Sequence, residues 1–158
     1  MLAKQVQRFK LNEYKRAKVA DKSTGIKIVV FICSSTGDGE IPENGQEFFR
    51  FLRRESSKIA DDSVGSILSH VFYTVLGLGS SDYSKYQGAP RFLDARMKML
   101  GANSFHPRAE ADEATGLEDV IEPWLENIGS LLVSQSKKIK EMPEEELLEK
   151  LKVLVAPA

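Results

Sequence analysis

Two apolar runs dominate the pattern of this chain. Ile26 to Cys33 reads IKIVVFIC, and Val71 to Leu76 reads VFYTVL. Both are rich in β-branched or aromatic residues, and neither alternates strictly with polar ones. Runs of this kind suit strands buried on both faces of a parallel sheet. Around them the period changes. Phe48, Phe49 and Leu52, with Gly45, share one helical face behind Pro42, a residue well placed in a first helical turn. Arg50, Arg53 and Arg54 fall off that face and are expected to meet solvent. Residues 56–66 read as a loop. Phe92, Leu93, Met97 and Leu100 make the buried stripe of a helix over 89–100, with Gly101 as its C-terminal cap. Residues 103–106 are a short strand candidate, stopped by Pro107. Leu117, Val120, Ile121, Trp124, Leu125 and Ile128 mark a last helix. Thr115 and Glu118 have capping-box spacing at its start, and Pro123 should kink it. Strands that alternate with helices predict an α/β fold built on a parallel sheet.

Each apolar run ends in a loop of glycines and hydroxyls. The first gives Ser34-Ser35-Thr36-Gly37-Asp38-Gly39-Glu40-Ile41-Pro42. The second gives Gly77-Leu78-Gly79, then a polar loop holding Tyr83 and Tyr86. In open α/β sheets, ligands bind just past the carboxyl ends of the strands. Glycines let backbone approach a ligand, hydroxyls bind its polar atoms, and aromatic rings stack on a planar group. The plain alternative for each loop is a strand-to-helix turn.

Composition narrows the class. Charged residues make up 28 % and hydrophobic ones 42 % of 158 residues, as in ordinary globular domains. A net charge of −1 gives no reason to expect nucleic acid. No apolar run reaches membrane-spanning length, and the start lacks an apolar signal core. The lone cysteine, Cys33, reads as a buried thiol in a reducing, cytoplasmic setting. His70 reads as a strand-start residue. With His106 and Cys33 widely spaced from it, metal or nucleophilic catalysis has no support. Charge is unevenly spread. Residues 1–30 carry eight Lys or Arg against Glu13 and Asp21, and residues 110–126 carry seven acids and no base. The acidic stretch is either a solvated face or a guide for a basic partner.

The motifs SSTGDGEIPENGQEFFRFL, YTVLGLGSSDYSKYQGAPRFLDARMKMLGA and EADEATGLEDVIEPWL together resemble the FMN-binding, flavodoxin-like domain of the diflavin reductases. The third block is most similar to the methionine synthase reductase branch. The resemblance covers roughly 26–132 and implies a flavodoxin-like three-layer α/β fold with a parallel sheet. It implies FMN contacts at Ser35, Thr36, Gly37, Asp38, Gly39, Leu78, Gly79, Ser80, Tyr83, Tyr86, Gln87 and Asp112. Tyr83 would stack on the ring, and Asp112 would meet a ribityl hydroxyl. Thr36 stands where many relatives have an aromatic ring. Gln87 and Ser80 stand where relatives often have Asn and Asp or Asn. No catalytic acid or base is implied. The chemistry is single-electron transfer from a FAD- and NADPH-binding half to an acceptor, such as a cobalamin-dependent methionine synthase.

The start departs from that pattern. No strand followed by a hydroxyl-rich phosphate loop precedes Gly25, the first glycine. The fold is therefore expected to lack its first strand. Residues 1–25 read as a helix end, a second strand or a linker, 26–136 as the domain, and 137–158 as a linker whose Glu144–Leu154 could form a short helix. FMN binding by this chain alone is expected to be weak or absent. A flavin-free interaction or regulatory module is the alternative.

Overall fold

The computed structural model describes residues 25–35, 37–60 and 63–139, with side chains to 132. The expectations for residues 1–24, for Thr36 and for the 144–154 helix lie outside the described residues. Among them, β1 (Lys27–Ser34) is followed by a 3-10 turn (Glu43–Gly45) and helix α1 (Gln46–Ser56). Strand β2 (Val71–Gly79) leads into α2 (Gly88–Met99). Two short strands, β3 (Asn103–Ser104) and β4 (Ala109–Asp112), precede α3 (Glu118–Ile139).

All strand pairings are parallel, and β2 is central. It pairs with β1 from Val71 opposite Lys27 to Leu78 opposite Ser34. On its other side β3 pairs at Phe72 and Tyr73, and β4 pairs from Leu76 to Gly79. The last strand position is thus split in two by the turn at 105–108. The sequence shows only the first half. The tetrapeptide Ala-Glu-Ala-Asp of β4 has no apolar run to announce it.

Helices α1 and α2 seal one face of the sheet. Phe31 and Cys33 of β1, with Val71, Tyr73 and Val75 of β2, pack against Phe48, Phe49, Phe51 and Leu52 of α1 and Leu93 and Met97 of α2. The predicted stripes on α1 and α2 are therefore core. The opposite face is covered by α3, whose Trp124 and Ile128 pack on Leu76 and Ala111. This gives three layers. Leu125 departs from the expected stripe and is 50 % exposed. It sits one residue past Trp124, which rotates it by about 100° off the buried face. The capping box is also absent. Thr115 is exposed and donates its N–H to the Asp112 carbonyl, while the Leu117 carbonyl accepts the first helical bond, from Ile121. Pro123 lies within α3, which continues past it to Ile139. The expected double burial of β1 holds on one face only. Ile28, Val30 and Ile32 are 38 %, 39 % and 56 % exposed, because α3 reaches β2 and β4. Among the described residues, β1 pairs with β2 alone.

Candidate functional site

Because the strands are parallel, the loops after β1, β2 and β4 leave from the same sheet edge. The ladder continues one step past β1, where the Ser35 N–H donates to the Leu78 carbonyl at 3.1 Å. The Ser35 hydroxyl accepts from the Ala89 N–H at 3.1 Å, so it caps the first turn of α2. Gly37 and Gly39 adopt positive φ of 47° and 80°. A Cβ at Gly39 would press on the Lys85 side chain and carbonyl, whereas one at Gly37 would meet open space. Glycine at 39 therefore lets the two loops close on each other. The Ser84 hydroxyl donates to Asp38 at 3.4 Å across the same contact.

Leu78 and Gly79 end β2 at the floor of this edge. Gly79 pairs in register with Asp112, and its carbonyl accepts the Glu113 N–H at 2.8 Å. Ser80 anchors the following loop, since its carbonyl accepts from the Tyr83 N–H and its hydroxyl from the Asp82 N–H. Asp112 ties that loop to β4. Its Oδ1 accepts from the N–H groups of Ser81 at 2.9 Å and Ala114 at 3.0 Å. Hydrogen bonds from Ser81, then from Ala114, hold this carboxyl below its ordinary pKa.

The two tyrosines differ. Tyr83 is 56 % exposed at the loop crest. Tyr86 is half-buried, with the Arg91 guanidinium 5.7 Å from its ring centre. Arg91 is itself held by Glu110, at 2.7 and 2.8 Å. Gln87 is fully buried in the left-handed region at φ 59°. Its amide donates to the Ala111 carbonyl at 3.0 Å and lies over Gly77, where any Cβ would collide with it. The structure thus gathers Ser35, Gly37, Asp38, Gly39, Leu78, Gly79, Ser80, Tyr83, Tyr86 and Asp112 on one edge. It places the Gln87 side chain beneath them. Arg91, Glu110 and the Ser81 N–H were not singled out from sequence. For Arg91 the signal was its place directly after the aromatic loop.

Behind the site, the Tyr73 hydroxyl donates to Asp94 Oδ1 at 2.7 Å. Asp94 Oδ2 accepts from Arg108 and Lys98, and Arg108 continues to Glu110. Burial and then the Asp94 hydrogen bond push the Tyr73 pKa up. A separate shallow hollow of about 420 Å³, lined by His106, Asn127, Ser130 and Leu131, lies under α3. No helix among the described residues is long and apolar enough to cross a membrane.

The arrangement brings a glycine turn, an exposed tyrosine and the Asp112 carboxylate to one sheet edge. A phosphate cradle is not part of the described residues. The Ala89 N–H, in the first turn of α2, is occupied by the Ser35 hydroxyl.

Known proteins resemble this chain in sequence and in fold. A methionine synthase reductase of Caenorhabditis elegans is 41 % identical over 109 residues, which is 69 % of this chain and 15 % of that protein. An NADPH-dependent diflavin oxidoreductase 1 of Schizosaccharomyces pombe is 38 % identical over 107 residues, 66 % of this chain and 17 % of that protein. The chain thus spans about a sixth of the length of these relatives. A flavodoxin from Pseudomonas aeruginosa, solved as a cysteine-to-serine mutant, superposes with a TM-score of 0.50 at 24 % identity, covering 65 % of each chain. The flavodoxin family model matches residues 2–124, and the chain belongs to the flavodoxin family.

Proposed function

We propose that this chain is an FMN-binding electron-transfer domain of the diflavin reductase type, in the methionine synthase reductase branch. The observation that carries the reading is the parallel register of β1 and β2. It supports the reading by bringing the ends of β1, β2 and β4, and so the Gly37 loop, the Tyr83 loop and Asp112, to one sheet edge. Bound flavin would supply reversible one-electron chemistry. The chain's own residues would position it. Tyr83 would stack on the ring, Gly37, Asp38, Gly39 and the Gly79–Ser80 backbone would line it, and Asp112 would accept from a ribityl hydroxyl. Asp38, Glu40, Asp82, Glu113, Glu118 and Asp119 are exposed around or beside this edge. Such a rim speeds encounter with a basic acceptor, here a cobalamin-dependent methionine synthase or a related redox protein. Electrons would come from a FAD- and NADPH-binding domain. Burial pushes the Cys33 thiol up to about 12, so it stays protonated in the core.

A second reading, a flavin-free interaction module, draws on the internal use of the Ser35 hydroxyl and the Gln87 amide N–H, which already have protein partners. Flavin titration separates the two. Each charge-assisted phosphate contact missing from the described residues removes about 1.5–3 kcal/mol. The expected outcome is no fluorescence quenching at micromolar FMN. Quenching should appear only near millimolar flavin, equally for FMN and riboflavin, and should be lost in Tyr83→Ala. Absence of quenching at any accessible concentration supports the flavin-free module. Tight, FMN-selective quenching shows a phosphate site that the described residues do not contain.

A further inference from the structure

The outer face of α1 and α2 carries more positive charge than its own ion pairs use. The carboxylates buried along these helices, and Glu110 of β4 beside them, are already engaged. Glu55 pairs with Arg54 and Lys58, Asp94 with Lys98 and Arg108, and Glu110 with Arg91 and Arg108. Arg50, Arg53 and Arg96 take part in none of these pairs. Arg53 comes from α1 and Arg96 from α2, and they converge across the seam between the helices. Their guanidinium carbons stand 5.3 Å and 5.0 Å from the centre of the Phe92 ring. That ring is fixed in turn by stacking on the buried Phe49, at 5.7 Å and an interplanar angle of 18°. The two like charges therefore lie within about 10 Å of each other, near the Debye length at 0.1 M salt. Arg50 is exposed one turn earlier on α1.

The ring attracts each guanidinium, and Arg96 is further tethered by donating to Met99 Sδ at 3.3 Å. A planar, braced guanidinium is pre-organised for two-point bonding to a carboxylate. We infer that the α1–α2 seam is the docking site for an acidic segment of another polypeptide, whose carboxylates bridge Arg53 and Arg96. The size of the patch argues against a polynucleotide. Three of its cations stand outside these ion pairs, since the exposed Arg54, Lys58 and Lys98 are engaged by Glu55 and Asp94. The inference is independent of flavin, because the seam lies on a helical face and the loops form the sheet edge.

The test uses a fluorescein-labelled peptide of ten glutamates and the 158-residue chain, read by fluorescence anisotropy. Saturable binding is expected at about 50 mM salt, with marked weakening by about 200 mM. Arg53→Gln with Arg96→Gln should weaken it about tenfold, since two solvent-exposed, salt-screened ion pairs are lost. Arg53→Lys with Arg96→Lys should weaken it less, because the charge stays while the planar fork is lost. Lys85→Gln, on the aromatic loop, should leave it unchanged. Thermal melts check that each variant folds. Should the double Gln variant fail to fold, the Lys pair and the single variants give the same reading. Absence of saturable binding, equal binding by the Arg variants, or an equal loss in Lys85→Gln overturns the inference. So does tighter binding of a ten-nucleotide oligothymidine.

Discussion

The two faces of β1 live in different environments. On one, Phe31 and Cys33 are 4 % and 2 % exposed beneath α1. On the other, Ile28, Val30 and Ile32 stand in a row against solvent. The register puts this second row beside Phe72, Thr74 and Leu76 of β2, all buried. The difference therefore lies in what covers each strand, and residue type does not set it. An apolar run reports that a strand can be buried on both faces, and the packed helices decide whether it is. Stability should reside on the sealed face. Flavodoxin-like sheets place their first strand between the second and third. No strand among the described residues takes that place beside β1.

The sharpest way to break this comparison is a cavity on the sealed face. Phe49 is fully buried and stacks on Phe92. Phe49→Ala should cost about 3–5 kcal/mol, measured by urea unfolding. A loss below about 1 kcal/mol would mean that the α1–α2 layer is not the stability core.

Acid should probe the same face with a smaller effect. The Lys58 and Arg54 partners hold the Glu55 carboxyl below its ordinary range. Arg91 and Arg108 do the same for Glu110. A carboxyl lowered in the folded state contributes stability above its unfolded pKa, about 4.3 for Glu. That contribution is lost as pH falls through the folded value. The melting temperature should stay level from about pH 7 to about pH 5, then fall below it. In Glu110→Gln that acid-side fall should be shallower by a few degrees. An unchanged profile in Glu110→Gln would remove the Arg91–Glu110–Arg108 link from the stability account.

Much of this face was legible in the sequence. Both long strands, α1, α2 and the Gly101 cap follow from apolar runs and helical stripes. What stayed hidden is information held by neighbours. β4 is a strand because β2 offers it an edge and because Ala111 is small enough to fit under α3 and beside Gln87. The Gln87 conformation depends on Gly77, which leaves space for its amide. Asp112 could be singled out by resemblance alone, and its bonds to Ser81 and Ala114 depend on where the loop closes. The Tyr73–Asp94 pair leaves a faint mark in the sequence, a polar atom inside an apolar strand and another beside an apolar stripe.

The open row gives the smallest effect and the cleanest contrast. Ile32 is 56 % exposed, and its backbone pairs with Leu76 whatever its side chain. Threonine keeps the β-branch and the strand preference while removing apolar area that water already reaches. Ile32→Thr should therefore cost less than about 0.5 kcal/mol in the same urea experiment. It should also reduce light scattering on heating, because an apolar row at a strand edge invites association. A cost above about 1.5 kcal/mol would show that this row is covered in solution, and the two faces of β1 would then be alike.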